Sequence, residues 1–205
     1  MTNASSSAPL LAADNLSLER GGRQLFEGLS FAIQAGQLVQ VAGANGAGKT
    51  SLLRILAGLS RYGYLGRVER SAPLLYLGHQ SGVKGMLTPR ENLSWHVAGE
   101  GIYSDAAIER ALEQVGLYGF EDVPSHALSA GQHRRVNLAR LYLSQSPLWL
   151  LDEPFTAIDV DGVAALEALM VAHAREGGAV VLTSHQVINA AYPMQQLSLS
   201  TGLSQ

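Results

Sequence analysis

The chain has 205 residues, 47% hydrophobic and 15% charged, with 14 Lys+Arg against 17 Asp+Glu and a formal net charge of −3. That balance suits a globular domain and excludes a disordered chain; with no global basic field, no nucleic-acid partner is expected. The absence of cysteine excludes disulfides and thiolate metal centres.

The opening MTNASSSAPLLAADN lacks a basic n-region and a proper apolar h-region, so it does not read as a signal peptide. Residues 1–9 or so read instead as a loose polar tail. The longest apolar runs, PLWLL and AVVLT, are too short to span a bilayer, and a soluble cytoplasmic protein is expected. From Asn15 to Gly36, Leu16 and Leu18, then Leu29, Phe31 and Ile33, alternate as half-buried strands do, with RGGR (Arg20 to Arg23) as the hairpin turn. LVQVA reads as a short strand. In GKTSLLRILAGL, the residues Leu52, Leu53, Leu56 and Leu59 recur at helical spacing, with Gly58 near the end. Arg61 to Pro73 reads as brief and turn-rich. From Leu87 to Ser144 the pattern is mostly helical, with Pro89 at a helix start and DAAIERALEQVGL as an amphipathic helix. LWLLDEP and GAVVLTSH then bracket a further helix at about Asp161 to Glu176. Unalternating apolar strands separated by helices predict a parallel sheet covered on both faces. The helical block at about 84–145 reads as a lobe inserted in a single domain.

Gly43, Ala44, Asn45, Gly46, Ala47, Gly48, Lys49 and Thr50, with Ser51 following, fit G-x-x-x-x-G-K-[ST] between a strand and a helix. Such glycines let the backbone curl so that successive N–H groups point at phosphate oxygens. Lys49 supplies a charge to the β- and γ-phosphates, Thr50 a hydroxyl to Mg²⁺, and the helix start a partial positive charge. This predicts a P-loop chain that binds a nucleoside triphosphate, without separating a motor, a kinase or a GTPase. In LWLLDEP the apolar strand runs into two acids at its carboxyl end, where ligands of open α/β sheets bind. Asp152 is placed for the magnesium shell, and Glu153 to polarise an attacking water.

Four further stretches carry a family resemblance. LSAGQ (Leu128 to Gln132) resembles the signature sequence of ABC-type ATPases, at the family's spacing ahead of LWLLDEP. FTAID, ending at Asp159, resembles the family's D-loop, TSH ending at His185 its H-switch, and Gln80 in YLGHQ its Q-loop. Within the family, GHQSGVKGMLTPRENL, LSAGQHRRVNLARL and LDEPFTAIDVDGV resemble the ATP-binding subunits of haem exporters used in cytochrome c maturation. The resemblance implies an α/β P-loop fold with a mostly parallel central sheet, an N-terminal antiparallel β subdomain and the inserted α-helical lobe. It implies ATP and Mg²⁺, with Thr50, Gln80 and Asp152 around the metal and Glu153, His185, Lys49 and Gln80 acting in hydrolysis. It also implies a homodimer in which Ser129, Ala130, Gly131 and Gln132, together with Asp159, meet the nucleotide held by the partner.

Ala130 departs from the family, which has glycine there. Near Arg20 the family has an aromatic residue that stacks on adenine; either the Arg20 guanidinium stands in for it or base recognition is loose, and ATP over GTP rests on the resemblance. Arg134 and Arg135 can be phosphate clamps or a solvated helix face, and the second is the expectation. What the family likeness implies overall is a transport ATPase (a translocase). It would lie peripherally on the cytoplasmic face of a bacterial inner membrane, bound to integral-membrane permease subunits of cytochrome c maturation. An ABC ATPase serving another exported substrate, or a non-transport P-loop ATPase, are the alternatives.

Overall fold

The computed structural model describes residues 8–94, 103–186, 188 and 191–199. Of the expected polar tail, residues 1–7 lie outside the described residues. The chain divides into two compact units: Met1–Tyr76 with Ser146–Asp152 and Glu167–Gln205, and Leu77–Gln145 with Glu153–Leu166.

In the first unit, β1 (Leu11–Arg20) and β2 (Arg23–Ile33) form an antiparallel hairpin closed at the Arg20–Arg23 pair. Gly21 and Gly22 both have positive φ, 60° and 72°, the type I′ geometry that matches the twist of the flanking strands. Leu16, Leu18 and Ile33 are buried as the alternation predicts, and Phe26 joins them. β4 (Leu65–Arg70) completes this sheet on the other edge of β1. The stretch Arg61 to Pro73, read from sequence as turns, therefore contains a strand. LGRVER hides because only Val68 is even half-buried, so no apolar alternation marks it.

A five-stranded sheet runs in the order β5 (Leu74–Leu77), β6 (Leu148–Asp152), β7 (Ala179–Thr183), β3 (Leu38–Ala42) and β8 (Met194–Ser198). In it β6 pairs with β7, β7 with β3 and β3 with β8, each in parallel. Every residue of β6 and β7 is buried, which is why both read as unbroken apolar runs. α1 (Lys49–Leu56) sends Leu52, Leu53, Ile55 and Leu56 into the same core as β1, β3, β6 and β7. Each such side chain contributes about 1.5–3 kcal/mol by leaving water. Leu59 does not follow them: α1 stops, Gly58 turns the chain with φ 74°, and Leu59 is 56% exposed. Helical spacing cannot be carried past a glycine that ends the helix.

In the second unit, α2 (Pro89–Ser94), α3 (Asp105–Gln114) and α4 (Ala130–Leu143) share a core of Leu93, Ile108, Leu112, Leu117, Val136 and Ala139. Ser104 caps α3 by accepting from the Ala107 amide. α5 (Val160–Arg175) starts in this unit, where Asp159 accepts from the Gly162 amide.

Candidate functional site

In the first unit the chain leaves β3 at Ala42, rounds Gly43 to Gly48 and enters α1 at Lys49. Gly48 has φ 96°, and a Cβ there would stand 3.1 Å from the Leu25 Cβ, so glycine is required by backbone and by space alike. No side chain caps α1 and its first turn carries no acid, so its leading amides are available to an anion. Lys49 Nζ donates to the carbonyls of Gly43 (2.8 Å) and Ala44 (3.3 Å), lying along the loop it belongs to. Ala47 is buried beneath the loop, Ser51 half-buried behind it, and Ala44, Asn45 and Gly46 are exposed on it.

Asp152 ends β6 at 1% exposure. Its Oδ1 accepts from Thr50 Oγ1 at 3.1 Å and from Thr183 Oγ1 at 2.8 Å. The parallel register explains the second contact, since Asp152 pairs with Thr183 across β6 and β7. Thr183 went unsuspected, although it marks the polar end of AVVLT. A hydroxyl and a carboxylate oxygen at this spacing are hard donors of the kind magnesium takes, with phosphates and water completing its shell. Among the described residues no group of three or more His, Cys, Asp or Glu forms a dedicated metal cage. Burial, and after it the charge of Asp152, push the Tyr76 phenol above its usual range. His185, beyond the end of β7, is exposed.

Arg20, exposed at the end of β1, lines a cavity of about 230 Å³ with Ser51, Arg54, Tyr62 and Tyr64. Phe26, the first aromatic after Arg20 in sequence, is fully buried. The aromatic rings beside Arg20 therefore come from the loop after α1, some forty residues on, where one-dimensional register cannot find them.

The second unit carries the rest. Ser129 opens α4 as a complete capping box: its hydroxyl accepts from the Gln132 amide at 3.2 Å, and the Gln132 side chain accepts from the Ser129 amide at 2.9 Å. Such a cap is worth about 1 kcal/mol. Ala130 is exposed. A Cβ on Gly131 would lie 3.2 Å from the Ala157 carbonyl oxygen, so this glycine lets the segment after β6 come close. Asp159 forms an ion pair with Arg135 while also holding the start of α5. Gln80 and its neighbour His79 are exposed.

Glu153 adopts φ 51°, a conformation that places an L-residue about 1–2 kcal/mol above its relaxed state. Its carbonyl accepts from Arg134 Nη2, while Nη1 of the same guanidinium donates to the Gly78 carbonyl. Arg134 is 5% exposed, so the expectation of a solvated face fails for it. Arg135, paired with Asp159, is only half-buried. The reason is periodicity: Arg134 shares its helix face with the buried Asn137 and Leu138, and only the carbonyls it meets, far along the chain, make burying it tolerable.

Three comparisons frame this geometry. Residues 26–156 match the family model described as ABC transporter. The cytochrome c biogenesis ATP-binding export protein CcmA of Salmonella typhi is 52% identical over 205 residues, spanning 94% of this chain and 98% of the relative. A bifunctional cytochrome c-type biogenesis protein CcmAE of Salmonella choleraesuis is also 52% identical over 95% of this chain, which spans 60% of that longer relative. The dimeric, post-hydrolysis structure of an ATP-binding cassette holding ADP and phosphate superposes with a TM-score of 0.79 at 21% identity, over 94% of this chain and 95% of that one.

Proposed function

This chain belongs to the ABC transporter family, and from that premise we propose that it is the ATP-hydrolysing subunit of an export complex serving cytochrome c biogenesis. The observation that carries the reading is the pairing of Thr50, at the head of an uncapped helix after a glycine loop, with the buried Asp152. The narrower role rests on 52% identity to CcmA over nearly the whole chain.

ATP binds with its phosphates on the amides of Gly43 to Ser51 and on Lys49. Thr50, Asp152 and Gln80 are the residues that would hold Mg²⁺, which when bound would neutralise charge on the phosphate oxygens. Glu153 accepts a proton from the attacking water, and His185 orients that water or bonds the γ-phosphate. The base lies in the cavity of Arg20, where the guanidinium and the rings of Tyr62 and Tyr64 offer stacking faces. Two copies of the chain close around two nucleotides, each offering Ser129, Ala130, Gly131, Gln132 and Asp159 to the nucleotide of the other. A related cassette is dimeric, which supports that arrangement.

No helix among the described residues is long and apolar enough to cross a membrane. The transport path belongs to permease subunits, and the chain sits on the cytoplasmic face of the bacterial inner membrane. The segment from Ser81 to Leu93 docks them; Met86 within it is 85% exposed. Glu153→Gln is expected to lower turnover about 100- to 10,000-fold and to trap an ATP-bound dimer by size-exclusion chromatography. Normal hydrolysis by that variant would refute the assignment of the base. Affinity capture of the native complex should recover membrane permeases; recovery of ribosomes or DNA would overturn the transport role.

A further inference from the structure

We propose that Arg134 is a positioning residue that sets the backbone under two functional side chains at once, an inference that rests on Glu153 being the general base. Its guanidinium is buried in α4 and donates to two main-chain carbonyls, Gly78 at 3.1 Å and Glu153 at 2.5 Å. Gly78 lies two residues before Gln80. One planar group with fixed donor directions thus reaches the strand end that leads to Gln80 and the residue proposed to activate water. The helix carrying it is the one that Ser129 opens.

Two details argue that this is more than packing. A guanidinium is costly to bury unless its donors are used, and an aliphatic side chain at position 134 would fill the space without that demand. Moreover, Glu153 holds a left-handed backbone that a non-glycine residue keeps only when its surroundings over-determine it, and Arg134 grips the carbonyl of that residue.

Arg140, six residues along the same helix, makes an instructive neighbour. It is also buried, burial pushes its guanidinium down to about 10, and its Nη1 donates to the Ser81 carbonyl. The two arginines therefore hold the backbone on either side of Gln80, while Arg134 alone of the pair also holds Glu153. Asn92 continues the same support by binding Lys84, Leu87 and Thr88. The stretch proposed to dock the permease is thus tied to α4 at Ser81, and the strand end before it at Gly78, so that a shift of that stretch reaches Glu153 through Arg134.

The test compares Arg134→Met with Arg140→Met in the full-length protein, measuring kcat, KM for ATP and thermal stability together. Both variants remove a buried guanidinium from α4. Arg134→Met is expected to lower kcat on the order of 10- to 100-fold, the effect of misplacing a catalytic group by about an ångström, with KM for ATP nearly unchanged. Arg134→Lys, whose single ammonium cannot span both carbonyls as the planar fork does, should recover only part of the lost turnover. Arg140→Met should lose stability to a similar extent with a clearly smaller fall in kcat. Equal losses in the two methionine variants, or wild-type kcat in Arg134→Met, would overturn the proposal. If Arg134→Met does not accumulate folded, Arg134→Lys against Arg140→Lys makes the same comparison: a kcat no lower in the first than in the second overturns it. Glu153→Gln is run alongside. An inactive Glu153→Gln with a normal Arg134→Met removes this proposal alone, whereas an active Glu153→Gln removes the base assignment and this proposal with it.

Discussion

The two helix starts proposed to meet phosphate, one in each unit, are built in opposite ways. α1 begins behind a left-handed glycine with no side-chain cap and no acid in its first turn. α4 begins with a reciprocal capping box that already occupies the amide of Gln132 and the acceptor side of Ser129. An uncapped start leaves several amides and the helix dipole for a ligand. The capped start keeps fewer, the amides of Ala130 and Gly131 beside a hydroxyl proton and the dipole. On the proposed function, affinity for the nucleotide would belong to the α1 side, and the α4 side would add a weaker grip supplied by a second copy.

Replacing Lys49 by Ala tests the strong side and should have the largest effect in this comparison. Turnover is expected to fall roughly 100- to 1,000-fold, as when one preorganised charge donor is lost, with nucleotide binding to the isolated chain lost in parallel by fluorescence titration. Retained binding in that variant would break the contrast. Ser129→Ala tests the weak side. Loss of the cap costs about 1 kcal/mol, which lowers Tm by about 2–4 °C in a chain of this length. Nucleotide affinity of the isolated chain should stay unchanged while ATP-dependent dimerisation weakens in the ultracentrifuge. A fall in the single chain's affinity would show that both starts act on one nucleotide in one copy. Ala130→Gly sharpens the comparison with the smallest change. It costs α4 less than about 1 kcal/mol in propensity, and it should tighten ATP-dependent dimerisation by less than about tenfold.

What could be read from the amino acids alone was whatever is local. The glycine turn between β1 and β2, the strand–loop–helix at Gly43 to Thr50, and the apolar runs of β6 and β7 all carry their reasons within ten residues. The strands β4 and β8 do not: LGRVER and MQQLS bury almost nothing, and only pairing with β1 and β3 makes them strands. The family likeness was legible because its motifs are local and ordered. Around the site, the partners Thr183 for Asp152, Tyr62 and Tyr64 beside Arg20, and the carbonyls that bury Arg134 were not legible. Each is fixed by the fold between residues 19 or more positions apart, so no spacing rule could reveal it. Arg134 misled for a further reason, since an arginine beside another in a helix usually faces water.

The pairing of Asp152 with Thr183 bears also on how the chain assembles correctly. Four of the five pairs between β6 and β7 are Leu148–Ala179, Trp149–Val180, Leu150–Val181 and Leu151–Leu182, and apolar pairs of that kind carry no polar contact to oppose sliding. A slip by one residue would turn every side chain to the opposite face, and a slip by two would displace the carboxylate by about 7 Å. The hydroxyl–carboxylate bond at the last pair is the one polar mark along this seam, so it penalises both slips. The residue that would organise the cation thus also serves as the registration mark by which two otherwise interchangeable strands find their alignment.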